Sequence, residues 1–405
     1  MTMTDDLEFR SADDRAADLA TALPAQLRRA QALGGNTGLS DVDVERITDP
    51  AALSRLPVMR KADLAAAQAA SPPLGGYAAD LGAFTHLFQS PGPIYEPGRV
   101  ADDFFRLGRF LRAVGIGPGD VVQNCFGYHL TPAGMMFESG ARAVGAVIVP
   151  AGTGQTELQV RAAAHLGVTA YAGTPDYLKV VLEKADDMGV ATAITRAAVS
   201  GGALFPSLRG FYADRGIACL QCYATADLGN IAYESDAMEG LIVDDGVVVE
   251  IVTPGTGNPV EPGEVGEVVV TTLNPDYPLI RFATGDLSAV LEGTSPCGRT
   301  NMRIKGWMGR ADQTAKIKGM FVRPEQVAEL VAHHPEVARA RVTVTREAEA
   351  DAMHVALETD APGAPAAYEA SVRDLLKLRG TVELVEPGTL PRDGTVIDDR
   401  RSYDT

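Results

Sequence analysis

Between residues 101 and 223 the hydrophobic pattern alternates between a helical period and short apolar runs. That alternation leaves few folds open. Phe104, Leu107, Leu111 and Val114 share one helical face, which Gly115 ends. Val121-Val122 opens a buried strand, residues 132–143 read as a helix, and Ala146-Val-Ile-Val149 reads as a strand. A helix from Thr156, a strand Val168-Thr-Ala-Tyr-Ala172, a helix over 175–188 and a strand Ala197-Ala-Val-Ser200 follow. One more helix leads to a strand ending at Tyr223. Strands alternating with helices of about 10–15 residues predict a parallel sheet with helices on both faces. Right-handed crossovers make it doubly wound. In such sheets ligands bind beyond the carboxyl ends of the strands. The turns after Val122, Val149, Ser200 and Tyr223 are therefore the places to look for chemistry.

The flanking regions read differently. Residues 11–35 form an Ala- and Leu-rich helix with Ser11 as N-cap, and a short helix begins near Lys61. Residues 240–291 hold the strands Leu241-Ile-Val, Val247-Val-Val-Glu-Ile-Val252 and Glu267-Val-Val-Val-Thr-Thr272, separated by Gly-containing turns. They predict an antiparallel β subdomain. After Gly309-Arg310 a smaller α+β unit follows, with a helix over 324–333 and strands over 338–344 and 353–357. The expected class is α/β. A large N-terminal domain (1–311) carries doubly wound layers and the β subdomain, and a small α+β domain (312–405) follows. A length of 405 residues agrees with two or three domains.

Charge narrows the partners. Lys and Arg number 36 against 53 Asp and Glu, a net charge of −17, which argues against nucleic acid and against an anionic membrane. A local basic site for ATP or CoA remains compatible with that balance. Four cysteines are too few for a disulfide scaffold. Cys219 and Cys222 sit in the apolar run Ile217-Ala-Cys-Leu-Gln-Cys-Tyr223 and read as buried thiols. The acidic N-terminus has no apolar core of a signal peptide, and no run nears the ~18 apolar residues of a membrane span. The expected compartment is the cytoplasm.

Four segments could carry chemistry. Tyr223-Ala-Thr-Ala-Asp227 offers a hydroxyl and a carboxylate after a parallel strand, which suits a nucleotide phosphate with Mg²⁺ or is an ordinary polar turn. In Ile280-Arg-Phe-Ala-Thr-Gly-Asp286 a carboxylate after a Gly turn suits ribose hydroxyls or a β-turn. Gly309-Arg-Ala-Asp-Gln-Thr-Ala-Lys-Ile-Lys-Gly319 lies at the predicted domain junction. There Arg310, Lys316 and Lys318 supply positive charge, for a ligand or a solvated loop. Ser200-Gly-Gly-Ala203 could lay a flat base against backbone or form a tight turn. Histidines are few, and no pair has metal-ligand spacing.

The order of these segments is more specific than any one of them. With Leu56-Pro-Val-Met-Arg-Lys-Ala-Asp-Leu64, Gly119-Asp-Val-Val-Gln-Asn-Cys-Phe-Gly-Tyr128, Val147-Ile-Val-Pro-Ala-Gly152, Thr174-Pro-Asp-Tyr177, Pro278-Leu-Ile-Arg-Phe282, Cys297-Gly-Arg-Thr300 and Leu390-Pro-Arg392, the chain resembles the phenylacetate–CoA ligase family of the adenylate-forming superfamily over nearly its whole length. The resemblance implies a two-step reaction. A carboxylate and ATP give an acyl-adenylate and pyrophosphate, and the CoA thiol then displaces AMP. It also implies a small aromatic carboxylic acid as substrate, ATP/AMP, Mg²⁺ and CoA as cofactors, and a possible homodimer. Carried over residue by residue, Asp286 holds the ribose hydroxyls and Arg310 the ribose or phosphate. Ser200, Gly201 and Gly202 flank adenine, with Tyr223, Ala224 and Thr225 beside the nucleotide. Asp227 stands at the Mg²⁺ position, Phe126 and Tyr128 line the acid pocket, Asp312 is the hinge about which the small domain is mobile, and Lys318 and Gly319 border CoA.

Three departures bear on the reaction. The family's Ser/Thr/Gly-rich phosphate loop falls on Gln89-Ser-Pro-Gly-Pro-Ile-Tyr-Glu-Pro-Gly98, where Pro91, Pro93 and Pro97 lack N–H donors. The C-terminal Pro-Arg…Gly-Lys is here Pro391-Arg-Asp-Gly-Thr395, with Thr395 in place of the lysine. Arg392 or Lys316 is then expected to supply the missing charge. Ala and Asp replace the usual Gly and Glu in residues 223–227. Two functions follow as expectations. One is an AMP-forming ligase joining an aromatic or arylacetic acid to CoA. The other is a degenerate member that binds nucleotide or acyl-CoA without efficient adenylation, or uses a preformed acyl-adenylate or acyl-CoA.

Overall fold

A computed structural model describes residues 6–90, 93–101, 103–311, 313–317, 320–347, 350–361 and 364–401. Helix α1 (Ala12–Leu33) begins where Ser11 Oγ accepts the Asp14 N–H at 3.0 Å and ends at Gly34, whose φ is +80°. Its face with Leu23, Leu27 and Ala30 packs on Leu39, Leu53 and Leu56 around α2 (Pro50–Leu53). Each fully buried Leu contributes about 1.5–3 kcal/mol. Helix α3 (Lys61–Ala70) and the antiparallel hairpin of β1 (His86–Ser90) and β2 (Ile94–Gly98) follow.

Next come α4 (Gly108–Val114), β3 (Val121–Asn124), α5 (Ala133–Ala143), β4 (Val147–Pro150), α6 (Thr156–Leu166), β5 (Ala170–Gly173), α7 (Pro175–Asp187), β6 (Arg196–Val199), α8 (Pro206–Ala213), β7 (Ala218–Thr225), β8 (Gly229–Tyr233) and β9 (Leu241–Val243). The predicted alternation is thus observed, with one shift. The helix expected to include Phe104 and Leu107 starts at Gly108. Asp103 and Arg106 take left-handed backbone angles of +56° and +62°, and the Asp103 carboxylate accepts the Gly108 N–H at 2.7 Å. Those residues form a turn ahead of the helix.

The chain continues through β10 (Val247–Val252), β11 (Gly266–Thr272), β12 (Phe282–Ser288), β13 (Val290–Leu291) and β14 (Arg303–Ile304). It ends with β15 (Ala315–Ile317), β16 (Met320–Val322), α9 (Pro324–His333), β17 (Arg339–Glu347), β18 (Ala350–Glu358), α10 (Pro365–Leu375), β19 (Thr381–Val385) and β20 (Ile397–Asp399). The largest sheet has the order β13-β14-β9-β8-β7-β6-β5-β3-β4. Its β4-β3-β5-β6-β7 half is parallel, and its β7-β8-β9-β14 half is antiparallel. Leu241-Ile-Val, expected in the β subdomain, is the β9 of this large sheet, while β10, β11 and β12 form a separate three-stranded sheet.

Contacts divide the chain into two compact units. The first comprises Met1–Val249, Val270–Phe282 and Leu291–Gly306, and the second Glu250–Val269, Ala283–Val290 and Trp307–Thr405. In the first, Phe110, Leu111 and Phe137 belong to one apolar cluster, and Leu178, Leu182 and Tyr212 belong to another. In the second, Val327, Leu330, Tyr368 and Val372 pack with the sheet β19-β18-β17-β20. Among the described residues no helix is long and apolar enough to cross a membrane.

Candidate active site

The first unit places several of the expected residues at the carboxyl ends of parallel strands. Ser200 follows β6. Its hydroxyl donates to the Cys222 carbonyl at 2.9 Å, tying this turn to β7. Gly201 has φ +71°, and a Cβ there would lie 3.8 Å from the Phe126 ring. The backbone of Gly201 therefore borders Phe126. That ring is buried and stacks on Phe137 with centroids 4.4 Å apart.

Tyr128, four residues beyond β3, is 38% exposed. Its hydroxyl accepts from Asn124 Nδ2 at 2.8 Å. Burial raises its pKa most, and the neighbouring Glu138 carboxylate, which accepts its proton in a hydrogen bond, raises it further. Gly134 makes room for the ring, since a Cβ there would sit 2.8 Å from Tyr128 Cγ.

Tyr223, Ala224 and Thr225 do not form a strand-to-helix turn. β7 runs through them, its register with β8 shifting between Tyr223 and Ala224, and the chain turns back into β8. Thr225 Oγ1 accepts the Leu228 N–H at 3.2 Å. Asp227 sits in this turn with its side chain 1% exposed, and its Oδ2 accepts from Lys61 Nζ at 3.1 Å. Its Oδ1 is buried without a hydrogen-bonding partner among the described residues. Nearby Glu96 is buried on β2 and accepts from the Ser90 hydroxyl. Burial pushes its pKa up to about 7. The Ser90 bond and Lys61 oppose that rise, and Asp227 adds to it. Pro91, within the proline-bearing loop, lies outside the described residues, whereas Pro97 is in β2.

The second unit holds further residues singled out from the sequence. Asp286 lies on β12, 9% exposed, and its Oδ1 accepts from Arg310 Nη1 at 2.8 Å and from Trp307 Nε1 at 3.1 Å. Gly285 has φ +74°, and a Cβ there would come within 2.8 Å of Arg310 Nη2. Glycine at this position lets the guanidinium reach the carboxylate. Arg310 itself is 56% exposed, so its remaining donors are open to a ligand.

The C-terminal segment is tied down within the same unit. Gln313 Nε2 donates to the Gly394 carbonyl at 2.7 Å, and its Oε1 accepts from the Ile397 N–H at 2.9 Å. Arg392 donates to Glu264 at 3.1 Å. Thr395 donates its N–H to Asp393 at 2.9 Å. Arg392, Thr395 and Glu264 border one cavity of about 320 Å³. Lys316 is the middle residue of β15, opposite Phe321. Its side chain, and all of Asp312, Lys318 and Gly319, lie outside the described residues. Residue patterns did not single out Lys61, Glu96, Trp307, Gln313 or Glu264. Lys61 stood as a helix start and inside a matching stretch, and nothing local in a sequence links it to a carboxylate 166 residues away.

Among the described residues no group of three or more His, Cys, Asp or Glu is arranged to hold a metal ion. A Mg²⁺ ion that also binds substrate phosphates needs only one or two carboxylates, and the unpartnered Oδ1 of Asp227 fits that requirement.

No protein-family model matches the chain. It is 30% identical to the phenylacetate-coenzyme A ligase of Thermus thermophilus over 266 residues, which are 63% of this chain and 60% of that enzyme. It is 28% identical to the phenylacetate-coenzyme A ligase of Escherichia coli over 310 residues, 71% of this chain and 70% of that enzyme. Over these stretches the chain is similar to phenylacetate-coenzyme A ligases. It spans 60% and 59% of the lengths of the relatives from Thermus thermophilus and Aromatoleum evansii. The ligase-like fold extends further. A structure of 2-hydroxyisobutyryl-CoA ligase with 2-HIB-AMP and CoA in the thioesterification state superposes with a TM-score of 0.70 at 23% identity, covering 98% of this chain and 92% of that one. The same ligase in its postadenylation state with 2-HIB-AMP gives a TM-score of 0.72 over the same shares.

Proposed function

We propose that this chain is an AMP-forming acid–thiol ligase that activates an aromatic or arylacetic carboxylate with ATP and passes it to CoA. The Asp286–Arg310 pair carries the reading. A buried carboxylate beside a half-exposed guanidinium, at the position the family gives to ribose, supports nucleotide binding. In the first step a carboxylate oxygen attacks the α-phosphorus and pyrophosphate leaves. In the second the CoA thiol, giving up its proton, attacks the acyl carbon and AMP leaves. Asp286 accepts from the ribose hydroxyls while Arg310 donates to ribose or phosphate. Ser200, Gly201 and Gly202 border adenine, with Tyr223, Ala224 and Thr225 alongside. Phe126 and Tyr128 line the acid pocket. Asp227 would hold Mg²⁺, whose charge would offset that of the phosphates. Arg392 or Lys316, with Thr395 as a neutral donor, faces the phosphate in adenylation. Lys318 and Gly319 border CoA once the small domain, 312–405, rotates about Asp312 against residues 1–311. The enzyme works in the cytoplasm, as a homodimer.

One observation favours a second reading, in which adenylation is inefficient and a preformed acyl-adenylate or acyl-CoA is bound instead. Arg392, the replacement cation, is engaged by Glu264. ATP–pyrophosphate exchange across a panel of aromatic acids decides between them. Acid-dependent exchange supports the ligase. Tight AMP or acyl-CoA binding without exchange supports the second reading.

A further inference from the structure

A cavity of about 350 Å³ opens between β1 and one face of α5. Its walls include Phe88, Tyr128, Met135, Glu138 and Arg142. It lies next to β3, which has β4 on one side and β5 on the other. The chain reverses its direction of strand addition at that point, where doubly wound sheets open a binding crevice. Met135, Glu138 and Arg142 follow one another at helical spacings of three and four, so they form one stripe along α5. Helical side chains lean toward the N-terminus of their helix, which brings the Arg142 head back toward Tyr128.

The polar groups of this cavity are unequally satisfied. Glu138 accepts from the Tyr128 hydroxyl, which in turn accepts from Asn124. His86 pairs through Nδ1 with Thr85 and stacks on Phe88. Arg142 makes no side-chain hydrogen bond or ion pair among the described residues, and its Nε is buried without a partner. A carboxylate at i−4 is a common neutraliser of a helical arginine, yet Glu138 is turned to Tyr128. The cavity therefore has an aromatic and aliphatic wall, a carboxylate engaged by Tyr128, and, among the described residues, one planar cation without a partner. A guanidinium in that state matches a carboxylate, which it can grip with two parallel N–H donors.

We propose that this cavity selects acids bearing a second, distal carboxylate, with Arg142 as the specificity-determining residue. The inference rests on the ligase reading for the fate of the first carboxylate, and on the cavity alone for recognition of the second.

The test uses matched pairs of acids, phenylacetate against 4-carboxyphenylacetate and octanoate against octanedioate. Binding is measured by calorimetry in the presence of AMP, and turnover by pyrophosphate exchange. The diacid of at least one pair should bind roughly tenfold or more tightly than its monoacid, the worth of one charge-assisted contact. Arg142→Leu should abolish that preference, and Arg142→Lys should keep part of it. In exchange assays Arg142→Leu should raise KM for the diacid more than it lowers kcat. Equal or tighter binding of the monoacids, no binding of either diacid, or a preference that survives Arg142→Leu would overturn the proposal. A diacid preference in binding with no exchange from any acid upholds this proposal and removes the ligase reading. Exchange with monoacids and no preference does the reverse.

Discussion

Lys61 Nζ stands 3.1 Å from Asp227 Oδ2, so the residue expected to serve phosphate or metal already has a cation. Asp227 is 1% exposed at its side chain and Lys61 is 43% exposed. Removing the lysine leaves a buried carboxylate with neither oxygen paired. Lys61→Met should destabilise the fold by on the order of 1–3 kcal/mol, less than a fully buried pair because water reaches the amine. It should also lower ATP affinity, while Asp227→Asn should be milder in stability. Urea melts and nucleotide titrations check both effects. A Lys61→Met protein with wild-type stability and affinity would remove the pair from both roles.

Asp286 makes the second prediction. Asp286→Ala should weaken AMP by roughly 1.5–3 kcal/mol for each lost charge-assisted bond. Gly285→Ala should mimic part of this, because its Cβ displaces the Arg310 head and forces a residue with a side chain to φ +74°. Calorimetry with AMP reads both. Unchanged affinity in folded Asp286→Ala excludes the ribose assignment.

Much of this was legible beforehand, and the part that was not has a common cause. Ser11, Pro175 and Pro324 mark helix starts that the structure reproduces, because caps and N-terminal prolines act on their own neighbours. The apolar runs at Val121, Val147 and Ala197 became strands because a short β-branched or apolar run is itself a local signal, although Val147 is exposed in β4. Leu241-Ile-Val was legible as a strand but not as a member of the large sheet. Its partners are β8 and β14, and the β14 residues lie some sixty positions away. Asp286 and Arg310 could be picked out because each sits in a Gly-bearing segment. Trp307, Lys61 and Gln313 became visible only once long-range pairing brought them to their partners.

Glu96 links the site to pH. Its pKa rises from 4.5 to about 7 on folding, chiefly through burial. The folded state therefore holds more protons than the unfolded chain between those values. Its contribution is most favourable below about 4.5 and is progressively lost as pH rises to about 7, staying lost above. Glu96→Gln, which cannot ionise, should raise the Tm at pH 8 more than at pH 5. Equal shifts at the two pH values would show that the carboxyl does not ionise across this range.

Cysteine reactivity gives an independent check on burial. Burial pushes Cys125, Cys219 and Cys222 up to about 12. At Cys297 burial acts in the same direction, but hydrogen bonds from Ser235, Ser295 and Arg299 outweigh it and leave the thiol at about 7. Iodoacetamide at pH 8 should therefore modify Cys297 well before the others, since the thiolate is the nucleophile. Peptide mapping that finds Cys222 labelled first would contradict the packing of β7.

The second compact unit is assembled from three stretches of chain, Glu250–Val269, Ala283–Val290 and Trp307–Thr405, with pieces of the first unit synthesised between them. Gly394, near the end, rests its Cα where any side chain would strike Val265. During translation at about 5–20 residues per second, the loop before β11 therefore waits roughly 6–26 s for Gly394. For that interval its apolar surface is open to chaperones and to neighbouring nascent chains. Expression yield should then depend on how fast the codons between Val265 and Gly394 are read, and a slow codon cluster placed there should cost more soluble protein than one placed upstream of Glu250.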